Sequence, residues 1–182
     1  MSDHTDNPYL TPGAPLETRD DTLTTMKSDG PSGLGGWLTL VGFGLIISPI
    51  RTGFLLSSIY MPIFQNGQIG VFIDSSSEYY SPRLFLLLSA EIIFNLLTIA
   101  GSLLLLYLFF NRKKAFPGWY IGLMIFSLLG IFVDALLSGF IFPEEPMFDP
   151  DTTSELIKAM VGAGIWIPYM LMSVRVKNTF IR

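Results

Sequence analysis

Four ionisable side chains interrupt segments of this chain that are otherwise apolar: Arg51, Glu91, Asp134 and Lys158. An isolated charge at the centre of a bilayer costs about 2.5–3.5 kcal/mol on insertion scales, so charges in such segments pair with one another or serve a function. Two cations and two carboxylates could form ion pairs, or they could surround an ion, a proton or a lipid headgroup. The sequence therefore leaves two roles to compare: the four charges pair with one another, or they bind a ligand.

The segment around Glu91 shows what kind of protein carries these charges. Residues 84–110 contain no other Asp, Glu, Lys, Arg or His, and a helix of about 20 apolar residues crosses a bilayer. Half of the chain is hydrophobic and 14% is charged. We predict an all-α integral membrane protein, a four-transmembrane-helix bundle formed by residues 34–182. The predicted spans are about 37–57, 84–110, 119–142 and 154–174, with a kink near Pro49.

The segments around the spans also carry local signals. Residues 58–82 are predicted to be a loop that contains the turn signal Gln65-Asn66-Gly67 and one short interfacial element. Thr153 or Ser154 is predicted to cap the last span, with Glu155 in its first turn.

Polar and small residues recur at helical spacing on each predicted span. Glu91, Asn95, Thr98 and Ser102 follow the 4-3-4 spacing of one helix face. The other three spans carry Gly44, Ser48 and Arg51; Ser127, Gly130, Asp134 and Ser138; and Lys158, Gly162, Trp166 and Tyr169. Four such stripes predict a bundle with a polar seam, and Gly42 and Gly44 are small enough for close helix approach.

The predicted topology places all four charges in the outer half of the bilayer. We expect at least one opposite pair within about 4 Å, with Arg51 facing Glu91 or Asp134 because a guanidinium can satisfy two carboxylates. Lys158, one turn into the last span, is expected nearest to the outer surface. Two interpretations stay open for Arg51, Glu91, Asn95, Asp134 and Lys158: a structural set that fixes helix register, which we prefer, and a small polar cavity.

The last span contains a second group of interest, Trp166-Ile167-Pro168-Tyr169. Trp166 and Tyr169 could line a ligand pocket. The preferred interpretation is that Pro168 kinks the span while the two aromatic side chains pack or lie near the inner interface.

Charge segregation along the chain predicts the orientation. Positive residues are concentrated at 111–118 and at the C-terminus, whereas the segments 58–82 and 143–153 are acidic. The positive-inside rule then places the N- and C-termini in the cytoplasm. Residues 1–33, rich in Asp, Thr, Ser, Pro and Gly, are predicted to be a disordered cytoplasmic tail.

Composition also narrows the chemistry. The chain has no cysteine and one histidine, His4, which disfavours thiol catalysis, zinc centres and haem ligation. We expect no catalytic residue, cofactor or metal site, because Glu91 and Asp134 are the only paired-carboxylate candidates and both have cations to pair with. The expected partner is the lipid bilayer, with a membrane-protein partner or a second copy left open, and no nucleic acid.

Several short motifs together resemble a known family. They are Gly35-Gly36-Trp37-Leu38, Ser48-Pro49-Ile50, Glu91 with Asn95, Phe116-Pro117, Asp134, Trp166-Ile167-Pro168-Tyr169, Ser173 to Lys177, and Thr179-Phe180. Over residues 34–182 the chain resembles the bacterial membrane family designated domain of unknown function 2569. The resemblance implies a bacterial inner-membrane protein of about four spans, and it implies no activity, cofactor or catalytic residue.

Two functions from different classes follow from these observations. Small size, short loops and the lack of a catalytic constellation favour a non-enzymatic accessory or interaction subunit. The alternative is a small transporter, channel or proton-linked protein that uses the intramembrane charges.

Overall fold

The computed structural model describes residues 30–144 and 146–181. Within these residues the chain is helical and contains no strand. The helices are α1 (Trp37–Gln65), α2 (Gln68–Ile73), α3 (Pro82–Phe110), α4 (Phe116–Ile141), α5 (Pro150–Met172) and α6 (Val174–Thr179). Positions 1–29 of the predicted tail lie outside the described residues.

Four of these helices, α1, α3, α4 and α5, are long and apolar enough to cross a membrane. Their outward side chains are large and apolar, with Phe54 and Phe140 each 71% exposed and Leu86 69% exposed. Such surfaces are stable against lipid tails and would be unstable against water. The predicted all-α, four-span membrane fold is confirmed.

The first span is longer than predicted. We expected α1 to end near residue 57, but the helix continues through Pro49 and Pro62 to Gln65. Residues 58–64 are mostly apolar, so a bilayer or a neighbouring helix accommodates them as readily as the earlier turns. The helix stops at the predicted Asn66-Gly67 turn, where Gly67 has a left-handed conformation with φ of 65°. The short element expected in the following segment is α2.

The last span begins one turn earlier than predicted. We expected Thr153 or Ser154 to cap it, but α5 begins at Pro150 and Asp149 is its N-cap. The Asp149 carboxylate accepts a hydrogen bond of 2.7 Å from the backbone N–H of Thr152. Proline suits the first helical position because it has no N–H to satisfy there, and aspartate is among the best N-caps. Sequence reasoning placed the start at the hydroxyl residues and overlooked this Asp-Pro pair.

The long helices pack in chain order, α1 on α3, α3 on α4, and α4 on α5. Glycine allows close approach at each of the first two interfaces. A Cβ on Gly42 of α1 would lie 2.8 Å from the Phe109 ring of α3, and a Cβ on Gly101 of α3 would lie 2.7 Å from Leu123 of α4. Neither neighbour leaves room for a side chain at its glycine.

The buried core lies at one end of the bundle, where α1 and α4 begin and where α3 and α5 end. We call this the packed end. Its buried hydrophobic residues are Leu38, Val41, Leu45, Leu105, Leu108, Phe109, Phe116, Met170, Val176 and Phe180. Phe116 and Phe180 stack with ring centroids 4.4 Å apart. Helix α6 thus folds back onto the bundle and completes this core.

Polar contacts fasten the start of α1 to α6 at the packed end. The Thr179 hydroxyl accepts a hydrogen bond of 2.9 Å from the Gly33 N–H and donates one of 3.2 Å to the Gly33 carbonyl. The Arg175 guanidinium lies over Gly35 and Gly36, where a Cβ on Gly35 would be 3.2 Å from its Nη1. The opposite end, which carries α2 and the segments 74–81 and 142–149, is called the loop end below.

Candidate functional site

The predicted charged residues surround a cavity of about 370 Å³ in the loop-end half of the bundle, which we call the acidic cavity. Each long helix contributes polar side chains to its wall. They are Arg51, Thr52 and Tyr60 from α1, Glu91 and Asn95 from α3, Asp134 from α4, and Thr152 and Glu155 from α5. Four of the five residues predicted as an intramembrane polar cluster therefore lie around one space.

The arrangement of charge in the acidic cavity differs from the predicted ion-pair layer. No nitrogen–oxygen contact of 4.0 Å or less joins Arg51 to a carboxylate in the described part of the chain. Instead, Asp134 lies within electrostatic range of two other carboxylates, Glu91 and Glu155. The expected close pairing of Arg51 is wrong in this structure, because the guanidinium and the carboxylates line a cavity rather than a direct helix contact.

The hydroxyl of Tyr60 is the most deeply buried polar group of the acidic cavity. Tyr60 is only 5% exposed, and its hydroxyl oxygen is closed off from solvent with no partner in full hydrogen-bond geometry. The Glu91 carboxylate is close enough to act as an acceptor for this hydroxyl, and Glu91 and Asp134 both act on it electrostatically. A tyrosine hydroxyl can donate a hydrogen bond to a carboxylate, so Glu91 is the partner available to this buried atom.

A second space of about 470 Å³, the middle cavity, contains the fifth predicted residue, Lys158. Its polar lining also includes Ser48, Thr98, Ser102, Tyr120 and Ser127. Because α5 begins at Pro150, Lys158 is about two turns into the helix. Lys158 therefore lies about one turn further from the start of its helix than predicted, and its exposed side chain borders the middle cavity.

The two cavities are stacked along the bundle axis. On each long helix a residue of the middle cavity is followed three positions away by a residue of the acidic cavity. The pairs are Ser48 and Arg51, Thr98 and Asn95, Ser127 and Gly130, and Lys158 and Glu155. A spacing of three residues is about one helical turn, so the polar stripes read from the sequence line two adjacent levels of one axis.

Polar residues of the α3 stripe are satisfied within their own helix. The amide of Asn95 donates a hydrogen bond of 2.9 Å to the backbone carbonyl of Glu91. The hydroxyls of Thr98 and Ser102 donate in the same way to the carbonyls of Phe94 and Thr98. Such bonds make these residues inexpensive in an apolar setting, whereas the carboxylates and Tyr60 have no comparable arrangement.

The aromatic group of the last span lies near the packed end. The Trp166 ring meets Trp37 of α1 edge-on, with centroids 6.1 Å apart, and meets Tyr169 at 5.8 Å. Both aromatics pack against the buried core, as preferred from the sequence, and Trp166 also lines the middle cavity. Helix α5 continues past Pro168 to Met172 and is followed directly by α6.

Two ionisable residues of the acidic cavity were not singled out in the sequence, Tyr60 and Glu155. Tyr60 fell in a segment assigned to a loop, yet Thr52, Leu56 and Tyr60 recur every four residues and all three line the cavity. This four-residue spacing could have predicted that α1 continues to Tyr60 and that Tyr60 faces inward. Glu155 was assigned to the first turn of α5, and the Asp-Pro start places it one turn further in.

Metal binding finds no support in the geometry. In residues 30–144 and 146–181, no group of three His, Asp or Glu side chains is arranged to hold a metal ion. The three carboxylates of the acidic cavity are therefore spread around its wall rather than focused on one point.

Comparison with known proteins agrees with this architecture. The profile of a family described as a protein of unknown function (DUF2569) matches residues 31–181. The chain belongs to the DUF2569 family. No curated protein and no solved structure matches it. The family resemblance inferred from the sequence motifs is thus confirmed, and the match spans all six helices of the DUF2569 protein.

Proposed function

We propose that this DUF2569 protein is a non-enzymatic carrier that moves a proton or a small polar solute through its own bundle. The observation that supports the proposal is the pair of stacked cavities, to which all four long helices contribute. A protein that only needed to fix helix register would pair its charges directly, as opposite charges do when they offset the cost of burial.

The asymmetry between the two ends supports a carrier. The packed end is filled by aromatic and aliphatic side chains and tied by Thr179 and Arg175. Towards the loop end the buried residues are few, with Tyr60 and Ala135 the ones that are under 9% exposed. A bundle that is filled at one end and hollow towards the other would admit a solute from the loop end, as a carrier open to one side does.

The distribution of positive residues gives the proposed orientation of the bundle in the membrane. Arg112, Lys113 and Lys114 lie in the α3–α4 turn at the packed end, and Arg175 and Lys177 lie on α6 at the same end. By the positive-inside rule, we propose that this end faces the cytoplasm of a bacterial inner membrane and that the cavities lie towards the outside. Reporter fusions after Lys114 and after Ile181 should report cytoplasm, and a fusion near Asp149 should report the outside; a cytoplasmic signal at Asp149 would contradict this orientation.

Flux measurements test the carrier function. The protein is reconstituted into liposomes that contain a pH-sensitive dye, and a pH gradient is imposed with and without small amines, amino acids and sugars. We expect proton or solute-linked flux above that of empty liposomes, loss of this flux in Glu91→Gln, and retention in Glu78→Gln, a matched change in the exposed segment between α2 and α3. Flux equal to that of empty liposomes under every condition would overturn the proposal.

An accessory or interaction subunit is the other role that fits the chain's small size. It would need a membrane-protein partner or a second copy, and a native pull-down in mild detergent with mass spectrometry tests it. A stoichiometric partner, together with flux only when that partner is present, would favour this role over an independent carrier.

A further inference from the structure

The packed end carries a dense group of positive side chains, which we call the basic surface. They are Arg112, Lys113 and Lys114 in the α3–α4 turn, and Arg175 and Lys177 on α6. The described segments that form this end, residues 30–50, 92–133 and 156–181, contain no Asp or Glu. These segments therefore offer the five cations no carboxylate to pair with, and the combined field of the cations attracts an anion.

Packing of the core brings the two basic segments together. Phe116, which follows the α3–α4 turn, stacks on Phe180, which follows α6, with ring centroids 4.4 Å apart. Phe109, which precedes the turn, also contacts Phe180, at 5.9 Å between centroids. All three rings are buried, so the turn and α6 are held side by side and their cations belong to one surface.

The basic surface combines positioned and mobile cations. Lys113 and Arg175 are partly buried, whereas the other three side chains are exposed. The Arg175 guanidinium lies against the backbone at the start of α1, where a Cβ on Gly35 would be 3.2 Å from its Nη1 and a Cβ on Gly36 would be 3.6 Å from its Cζ. The planar fork of a guanidinium matches the oxygens of a phosphate, and a guanidinium that is already confined loses less freedom when it binds one.

Large apolar side chains are exposed beside the basic surface and indicate what kind of anion it meets. Trp37, at the start of α1, is 62% exposed, and Trp119, in the first turn of α4, is 57% exposed. Met172 and Val174, on either side of the junction between α5 and α6, are 75% and 56% exposed. Tryptophan is enriched at the membrane–water interface, so we expect the basic surface at the level of the lipid headgroups. A phospholipid can contact both kinds of side chain, whereas a soluble acidic protein would leave the apolar ones without a partner.

We propose that the basic surface is a binding site for an anionic phospholipid. The lipid phosphate lies between the α3–α4 turn and α6, and the acyl chains lie along the exposed apolar side chains below. The site does not depend on the carrier function, because its five cations lie outside both cavities. It also goes beyond the positive-inside rule, which requires positive charge at this end but no bound lipid.

Lipid binding is tested on the full chain in a mild detergent, with phosphatidylglycerol as the anionic lipid and phosphatidylcholine of the same acyl chains as the neutral control. Native mass spectrometry counts the bound lipids, and thermal unfolding measures their effect on stability. We expect phosphatidylglycerol to bind saturably and to raise the melting temperature, and phosphatidylcholine to do neither. Raising the salt from about 0.1 to about 1 M should reduce the rise in melting temperature, since the Debye length falls from about 10 to about 3 Å.

Paired substitutions at Lys114 and Lys177 test the location of the site. Both side chains are exposed, so replacing them leaves the core intact and removes one cation from each basic segment. Each Lys→Gln change should weaken phosphatidylglycerol binding about fivefold, the effect of one charge near a membrane surface. Lys114→Arg with Lys177→Arg keeps the charges and should bind as the wild type does. Arg83→Gln removes an exposed cation at the loop end and should leave binding unchanged.

Three results would overturn the site. The first is equal binding of the two lipids, and the second is a loss in Arg83→Gln as large as in the double glutamine variant. The third is phosphatidylglycerol that accumulates on the protein without saturating, because this indicates diffuse attraction to a charged surface. None of these results bears on the liposome flux, so the site and the carrier function stand or fall separately.

Discussion

Replacing Gly42 with alanine should destabilise the packed end, whereas the same change at Gly44, two residues later in α1, should not. A Cβ at position 42 would lie 2.8 Å from Cε1 and 3.0 Å from Cζ of Phe109, and ordinary contact begins at 3.4 Å. A Cβ at position 44 would have no atom within 4 Å, because Gly44 faces the middle cavity. The pair therefore isolates steric contact from the general effect of glycine-to-alanine changes.

The magnitude depends on whether Phe109 can retreat. Its side chain is 2% exposed, and the rings of Phe110, Phe116 and Phe180 surround it with centroids 5.4, 5.2 and 5.9 Å away. A ring held on three sides cannot move without displacing its neighbours, so the cost should be that of overpacking a core, about 1–3 kcal/mol. Alanine in place of a helical glycine returns about 0.5–1 kcal/mol, which is too little to reverse the sign at the upper end of that range.

Thermal unfolding of the two variants and the wild type in one detergent measures the difference. Each kcal/mol corresponds to about 2–4 °C for a chain of this size, so Gly42→Ala should melt several degrees below Gly44→Ala. Gly44→Ala should melt at or slightly above the wild-type temperature. Equal melting temperatures for the two variants would refute the argument that close α1–α3 packing at Phe109 holds the packed end together.

Two further predictions concern the ends of the bundle. Thr179→Val should lower the melting temperature, because it removes both hydrogen bonds to Gly33 and costs about 1–3 kcal/mol; Thr153→Val, on an exposed threonine, is the control and should change little. At Asp149, hydrogen bonds from the Thr152 side chain and then from its backbone lower the pKa below the usual 3.8. Because the folded pKa lies below the unfolded value, the ionised cap stabilises α5 at pH values above the unfolded pKa, and this stabilisation is lost as the pH falls through the folded pKa. The wild-type protein should therefore lose stability relative to Asp149→Asn between about pH 5 and 3. A constant difference across that range would contradict the cap.

Sequence periodicity predicted the part of this fold that depends on apolar length and helical spacing. The run 84–110 became α3, which ends at Phe110 as expected, because few positions in it could stop a helix. Local chemistry was harder to read where two signals competed. The end of α1 was expected near residue 57 because the apolar run exceeds one bilayer thickness, but Ser57 and Ser58 hydrogen-bond to carbonyls one turn back and the helix continues.

Side-chain contacts could be predicted only in part. Helical spacing in the sequence was enough to predict that Arg51, Glu91 and Asp134 lie on inward faces, and all three line one cavity. That spacing could not show how far apart the helices are at this level, and this distance decides between an ion pair and a cavity. That distance depends on the bulk of residues elsewhere on the helices, such as Phe94, which stacks on Phe126 with centroids 5.0 Å apart between α3 and α4.

The segregation of residue types along the bundle axis gives the strongest physical reason to expect a binding role. At the packed end, Gly42 is placed against the Phe109 ring and leaves no space, so α1 and α3 are held there by contact. At the levels of the middle cavity and the acidic cavity, further towards the loop end, the inward positions carry charged, hydroxyl and small residues. There the same helices surround open space. A chain that needed only stability could have continued the aromatic packing along the axis, since hydrophobic replacements of buried ionic groups are often neutral or stabilising. Three carboxylates at one level repel one another, which is a cost in stability that packing does not explain. Binding a proton or another cation at this level would recover that cost, as the proposed carrier function requires.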